Sequence, residues 1–287
     1  MIVVLALLTV SSLIDPMALG TDMNLYLAVI ILELLVYALP AVFFCRLRGK
    51  EYGRKLRVRL FRFSHIFLIL LGLVILLTGS ALLNMLMASL FPPEPGTSSS
   101  YAGIAGAGAY AVLAFSILPA VAEEFLFRSI LIAEYETIRP SFAILVSSLF
   151  FGMIHMDFMR LPAYVFAGIV LALVFYTTRS VFASVLLHVL NNIAALWTDV
   201  WAEKFSAAAG KQGVLLQFIL ICLFMTALVL FFWEAQRIYQ EYGENGVPSP
   251  HVRRRKRGEP SGALEALTTP PFVIFIVMYI VFTLLRG

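Results

Sequence analysis

The stretch VAEEFLFRSIL, residues 121–131, places two glutamates and one arginine in a run that is otherwise strongly apolar. Burying a charged side chain in an apolar environment costs several kcal/mol unless the charge is paired or reaches water. Glu123, Glu124 and Arg128 are therefore candidates for a structural ion pair or a functional site. The character of the surrounding chain decides which environment they occupy.

The composition is that of an integral membrane protein. Of the 287 residues, 61% are hydrophobic and only 13% are charged, and the mean hydropathy is +0.93. A soluble domain is about half apolar and about a quarter charged. A single polytopic membrane domain covering residues 1–287 is therefore predicted, without a separate soluble domain.

Apolar runs long enough to form membrane spans recur along the whole chain. They predict an all-α bundle of eight or nine transmembrane helices. A short first span is favoured for residues 2–17, where a signal-peptide core is the alternative, because the run lacks a basic start and its apolar part ends at Asp15 and Pro16 instead of at a small-residue cleavage site. The predicted runs are 2–17, 24–46, 64–90, 103–135, 141–157, 161–178, 180–198, 213–236 and 270–286.

The loops predict the orientation of the bundle. Residues 46–62 are strongly basic, whereas residues 91–103 contain no lysine or arginine, so the first loop is expected in the cytoplasm and the second outside. Alternation then places Arg139, Arg179 and a basic loop at 238–268 inside. The RRRKR run at 253–257 is interpreted as a positive-inside anchor, with anionic lipid headgroups as an alternative partner.

Other partner classes are disfavoured by the positions of the residues. The net charge of +4 arises from basic residues beside the apolar runs, which indicates topology and not nucleic-acid binding. Cys45 and Cys222 both lie in apolar segments and lack metal or redox spacing. They are interpreted as packing residues.

Few ionisable or strongly polar residues remain at membrane depth. At about 1.5 Å per helical residue, Glu123 lies roughly 18 Å and His155 roughly 22 Å from the predicted cytoplasmic end. His188 and Asn192 lie at about 13 and 19 Å, so four side chains from three helices share one layer. Glu33 has no evident companion in the sequence, and a structural role is favoured for it.

Helical spacing predicts how these groups pair. Glu124 and Arg128 are four residues apart, with the glutamate first, which is the favourable order for an ion pair. Glu123 is then left as the free acid. His188 and Asn192, and likewise Phe151 and His155, have the same spacing and are each expected to share a helix face. Pro119 is expected to disturb the helix before the glutamates, because it lacks a backbone donor.

This set of groups is suited to amide hydrolysis. A carboxylate and an imidazole that reach one water can activate it, with Glu123 as the base and His155 orienting the water. His188 and Asn192 can donate hydrogen bonds to a developing oxyanion. The sequence has no G-x-S-x-G nucleophile elbow and no recognisable cysteine motif.

The ordered motifs EExxxR at 123–128, FxxxH at 151–155 and HxxxN at 188–192 resemble those of a known family. They are similar to the signatures of the CPBP or Abi intramembrane proteases, which include the type II CAAX prenyl endopeptidases. The resemblance covers residues of about 100–200. It implies a polar intramembrane cavity open toward the cytoplasm, a glutamate-type mechanism, and supporting roles for Glu124, Arg128 and Phe151. It also implies a peptide or prenylated protein substrate and the cell membrane of a prokaryote.

Some alternatives stay open at the level of sequence. A proton-coupled transporter could use the same residues as a relay, but no matching half of an inverted repeat is evident. A non-catalytic immunity or scaffold protein could keep the pocket. No cofactor is expected. A zinc site built from Glu123, His155 and His188 is possible but disfavoured, because no HExxH motif exists and three helices would have to assemble the site.

Overall fold

The computed structural model describes residues 25–92, 108–209, 213–247 and 267–286. The described residues form helices, turns and connecting segments, without a β-strand. The predicted first span at 2–17, most of the loop at 91–103, and the RRRKR run of the 238–268 loop lie outside the described residues. The all-α prediction is confirmed for the rest.

Eleven α-helices are labelled here in chain order, and three π-helical segments continue some of them. The α-helices are α1 (Leu25–Glu33), α2 (Leu39–Arg48), α3 (Ile66–Leu90), α4 (Ala109–Val112), α5 (Leu118–Glu124), α6 (Ile132–Tyr135), α7 (Pro140–Met153), α8 (Leu161–Thr178), α9 (Val181–Ala209), α10 (Gly213–Glu244) and α11 (Pro270–Arg286). The π-helical segments are Leu34–Ala38, Leu113–Ile117 and Phe125–Leu131, and 3-10 turns occur at Lys50–Lys55 and Phe63–His65.

Among the described residues, five helical stretches are long and apolar enough to cross a membrane. Three further apolar helices are shorter, at Pro140–Met153, Val181–Leu196 and Phe272–Val281. The five longer stretches are Tyr26–Arg48, Phe63–Leu90, Ala109–Tyr135, Leu161–Thr178 and Gly213–Glu244. The chain is a multi-pass integral membrane protein, and the total of eight or nine spans stays a prediction.

The π-helical segments have an identifiable local cause in two of three cases. Leu34–Ala38 and Leu113–Ile117 each end directly before an α-helix that has proline at its second position, Pro40 in α2 and Pro119 in α5. Proline cannot donate to the carbonyl one turn earlier, and its ring crowds that turn, so the helix widens locally. The disturbance predicted at Pro119 is present as this wide turn.

The third π-helical segment, Phe125–Leu131, directly follows the two glutamates and contains no proline. The Phe127 carbonyl accepts a hydrogen bond from the backbone N–H of Ile132 and a second, 2.9 Å long, from the hydroxyl of Ser147 on α7. Ser147 thereby ties α7 to this segment. The wide turn carries Arg128, whose position depends on it.

Helices α7 and α8 approach each other unusually closely. A Cβ atom on Gly168 would lie 2.8 Å from both Cα and Cβ of Ser148, and one on Gly152 would lie 2.6 Å from Val165 Cγ2. Only glycine permits this separation, which real Cβ contacts do not reach. Helix α8 also packs against α3 and α9.

The basic loop at residues 46–62 closes one end of the bundle. Four of its arginines bind the ends of other helices and connections, and Tyr52 donates a 3.3 Å hydrogen bond to the Ile130 carbonyl. The arginine contacts are Arg48 with Glu134, Arg57 with Glu136 at 2.6 Å, Arg59 Nε with the Arg179 carbonyl at 2.6 Å, and Arg62 with Glu241. The segments near 136, 179 and 241 therefore share this end, as alternation predicted.

The opposite end includes Phe91 and Phe158, whose rings are 6.3 Å apart. The end of α3, next to the loop expected outside, is therefore adjacent to the connection between α7 and α8. Which end faces the cytoplasm stays a prediction from the positive-inside pattern.

Candidate active site

The EExxxR motif forms a buried ion pair. Arg128 Nε lies 3.2 Å from Glu124 Oε2, and both side chains are fully buried. Arg128 Nη2 also donates to the Gly168 carbonyl on α8 at 3.3 Å. The predicted pairing of Glu124 with Arg128 is confirmed, and the arginine extends it to a second helix.

Glu124 also contacts the third motif. Its Oε1 lies 3.1 Å from Nδ1 of His188 on α9. Because an ionised carboxylate can only accept hydrogen bonds, the proton between the two atoms is carried by His188 Nδ1. This leaves Nε2 of His188 as the nitrogen available to another group. Glu124 thus contacts both Arg128 and His188, one with each carboxylate oxygen.

Phe151 of the second motif lies at the centre of these groups. Its ring centroid is 4.6 Å from the Arg128 guanidinium carbon, 4.9 Å from the His155 ring and 5.6 Å from the His188 ring. It also packs edge-on against Phe127 at 5.5 Å. A cation over an aromatic face is attracted by the quadrupole of the ring. Phe151 therefore connects the three motifs by packing.

His155 does not lie within a helix, contrary to the prediction of a span at 141–157. Helix α7 ends at Met153, and His155 lies in the turn that follows. The cause is local: Met156 adopts a left-handed φ of 53°, and Asp157 Oδ1 accepts a 2.9 Å hydrogen bond from the Arg160 backbone N–H just before α8. Both features end helical geometry. His155 is consequently close to the end of the bundle that includes Phe158.

The turn fixes the ring of His155. Its Nδ1 lies 2.7 Å from the Phe151 carbonyl oxygen, and the ring stacks on Tyr164 of α8 with centroids 4.0 Å apart and planes at 19°. A carbonyl oxygen only accepts, so Nδ1 carries the proton and a neutral His155 exposes Nε2 as an acceptor. His155 is half-buried, so this nitrogen can be reached. Tyr164 was not singled out from the sequence, because an aromatic residue in an apolar helix carries no distinguishing signal.

Glu123 faces a different set of neighbours. It is 6% exposed, and its Oε2 has no hydrogen-bond partner among the described residues. It interacts electrostatically with Glu33, Glu124 and Arg128. Within the described part of the chain, no hydrogen bond or ion pair joins Glu123 to His155. Glu33, for which the sequence shows no companion, lies on α1, which packs against α5, and it interacts electrostatically with Glu123. Its structural role stays a prediction.

Asn192 lies one turn beyond His188 on α9 and is half-buried. Its amide provides both a donor and an acceptor. No contact of this side chain tests the predicted pairing with His188, so its role stays a prediction.

A metal site is not assembled by these residues. The described residues contain no group of three histidine, cysteine or acidic side chains placed to hold a metal ion. A tetrahedral zinc site requires three or four such ligands about 2 Å from the ion. Metal independence nevertheless stays a prediction.

Comparison with known proteins agrees with the residues that build the site. Residues 105–194 match the family described as type II CAAX prenyl endopeptidase Rce1-like. The predicted family resemblance is thereby confirmed for this Rce1-like segment, which contains all three motifs.

A curated relative matches part of the same chain. The "Putative membrane peptidase YdiL" of Bacillus subtilis (strain 168) is 32% identical over 82 residues, which is 28% of this chain. The match spans about a third, 34%, of the length of that relative. No solved structure matches the chain. The Rce1-like segment and this relative support a membrane protease at the level of the family.

Proposed function

We propose that the protein is an intramembrane glutamate-type endopeptidase that cleaves a peptide bond with a water molecule activated by Glu123 and His155. The observation that carries the proposal is the contact between Glu124 Oε1 and His188 Nδ1, which brings two motifs of the Rce1-like segment together inside the membrane domain. Phe151 adds the remaining motif through its contacts with both histidines.

Each residue has a role that its geometry supports. Glu123 is the general base, because its Oε2 has no competing partner among the described residues and can accept a proton. The unprotonated Nε2 of His155 accepts a hydrogen bond from the same water and orients it. Binding of water and substrate brings the two groups to the same oxygen, since such hydrogen bonds tighten in the reactive complex.

His188 and Asn192 stabilise the oxyanion that forms when water attacks the scissile carbonyl. The amide nitrogen of Asn192 is a donor in its only protonation state. His188 donates through Nε2 when both ring nitrogens carry protons, with Glu124 holding the Nδ1 proton. Glu124 and Arg128 act through His188, and Phe151 keeps both imidazoles in place.

The proposed substrate is a CAAX-like prenylated tail or another membrane-associated peptide, and the proposed location is the cell membrane of a prokaryote. A polar cavity open to the cytoplasm and a bundle of eight or nine spans belong to the same proposal. Membrane lipids are the surrounding partner, and no nucleic acid or cofactor is needed.

A cleavage assay tests the function. Purified full-length protein in lipid nanodiscs is incubated with a farnesylated peptide ending in a CAAX-type tail and with an unprenylated leader peptide, and products are identified by mass spectrometry. Cleavage of either peptide by the wild type, and its loss in Glu123→Gln, is the expected result. Glu234→Gln is the matched control, because Glu234 is also buried but is paired with Arg237 on α10. Equal cleavage by Glu123→Gln and the wild type would reject the mechanism.

A further inference from the structure

The second glutamate near the candidate base comes from outside the Rce1-like segment. Glu33 is the last residue of α1, and its Oε2 is buried without a hydrogen-bond partner among the described residues. The same holds for Glu123 Oε2 on α5. Two buried carboxylate oxygens without partners therefore belong to two helices that pack against each other.

Tyr37 lies in the same space. It is 6% exposed and interacts electrostatically with both Glu33 and Glu123. The charged groups that bear on Glu123 are thus Glu33, Glu124 and Arg128, and Tyr37 is the neighbouring titratable hydroxyl. Arg128 is bound to Glu124 and to the Gly168 carbonyl, which leaves it poorly placed to neutralise a second and a third carboxylate.

The helix that carries Glu33 is irregular directly after it. The π-helical segment Leu34–Ala38 begins at the next residue, just as another begins directly after Glu124. Insertions of this kind change the direction of the following side chains and occur frequently at functional sites. Here the segment contains Tyr37 and packs against α5, and Glu33 directly precedes it, so the Tyr37 hydroxyl and the Glu33 carboxyl belong to neighbouring turns that both pack against the helix of Glu123.

Two adjacent carboxylates in a medium of low dielectric constant cannot both be ionised cheaply. One arginine serves three glutamates in this part of the bundle, so at least one proton is retained among them. Glu124 is ion-paired on one oxygen and bound to His188 on the other. The proton is consequently shared by the remaining pair, Glu33 and Glu123.

We propose that Glu33 is a positioning residue that shares one proton with Glu123 and thereby sets the pH range over which Glu123 can act as a base. The inference rests on the proposed function only for the role of Glu123 in turnover. The sharing of the proton does not depend on the proposed function. During hydrolysis the shared proton lies on Glu33, so Glu123 is free to take a proton from the water as its oxygen bonds to the scissile carbonyl carbon. Glu123 then passes that proton to the leaving amine as the C–N bond breaks.

Infrared spectroscopy tests the shared proton without reference to activity. Full-length protein in nanodiscs is titrated from acid to alkaline pH, and the carbonyl stretch of protonated carboxyl groups is followed. The wild type should retain a protonated carboxyl at neutral pH. That band should be lost in Glu33→Gln and in Glu123→Gln, and should persist in Glu234→Gln. Persistence of the same band in Glu33→Gln would overturn the inference.

Kinetics of Glu33→Gln give the second readout. In Glu33→Gln, kcat should fall by about tenfold with KM nearly unchanged, because proton transfer by Glu123 becomes less efficient. The acidic limb of its pH profile should move to lower pH by about one unit, because a competing carboxylate is gone. An unshifted profile would contradict the inference. If the infrared changes occur as predicted but the protein has no peptidase activity, the proposed function is rejected, whereas the proton shared by Glu33 and Glu123 is supported.

Discussion

Glu124 Oε1 and His188 Nδ1 lie 3.1 Å apart although the two residues are 64 positions apart in the sequence. Glu124, the second glutamate of the EExxxR motif, therefore does more than form an ion pair within its own helix. It fixes the proton of a histidine on another helix while its other oxygen faces Arg128. This contact makes the arginine, the glutamate and the histidine one buried polar unit.

Breaking this unit is expected to destabilise the protein strongly. Glu124→Ala leaves Arg128 buried without its counter-ion, which costs about 3 to 5 kcal/mol in free energy of unfolding. Equilibrium unfolding in mixed micelles measures the loss. Arg48→Ala is the control, since its partly exposed pair with Glu134 should contribute less than about 1 kcal/mol.

The double variant Glu124→Leu with Arg128→Met refines this prediction. Replacing both charges by apolar side chains removes the uncompensated arginine, so part of the lost stability should return. Recovery should be incomplete, because His188 still lacks its acceptor. A double variant less stable than Glu124→Ala would contradict the ion-pair assignment.

Phe151 should matter for catalysis more than its neighbour Phe150 does. Both rings are 2% exposed on α7, but Phe150 packs against Phe272 and Phe275 on α11, whereas Phe151 contacts both histidines and Arg128. Phe151→Leu should lower kcat by roughly ten- to a hundredfold, as expected for misplaced catalytic groups.

Phe150→Leu removes the same ring volume and should leave kcat close to that of the wild type. Thermal unfolding of both variants controls for stability, which should fall similarly because the buried area lost is the same. Equal losses of kcat in the two variants would argue against a positioning role for Phe151.

Gly168 should be intolerant of a methyl group. In Gly168→Ala the new Cβ would lie 2.8 Å from the backbone of Ser148, so α7 and α8 must separate. Overpacking of this kind costs about 1 to 3 kcal/mol. Because the Gly168 carbonyl binds Arg128, activity should fall too.

Gly243→Ala provides the matched comparison for the Gly168 variant. Gly243 is also helical, and nothing lies within 4 Å of its added Cβ. Alanine should stabilise that position by up to about 1 kcal/mol through helix propensity. A Gly168→Ala variant with wild-type thermal stability would show that the two helices are less tightly joined than described.

Metal chelation should leave peptidase activity unchanged. The described residues offer no three-ligand site, and the proposed water activation uses Glu123 and His155 alone. Prolonged treatment with phenanthroline or EDTA, followed by metal analysis and the cleavage assay, measures this. Stoichiometric zinc in purified active protein, lost together with activity, would refute the metal-independent mechanism.

The features that the sequence alone determined are those that depend on short-range sequence pattern. The apolar runs, the positions of most helix ends, and the Glu124–Arg128 pair depend on composition and on spacing within one helix, where the geometry of 3.6 residues per turn is fixed. The order of the three motifs likewise predicted the family resemblance that the Rce1-like segment confirms.

Only the tertiary structure decided which helices meet and where their regular geometry stops. The contact of Glu124 with His188, the stacking of Tyr164 on His155, and the packing of the Glu33 helix on the Glu123 helix all join residues of different structural elements. His155 lies in a turn because Met156 and Asp157 end the helix, which apolar periodicity does not reveal. Hydropathy determines which segments enter the membrane, whereas side-chain packing between helices determines which polar groups face one another.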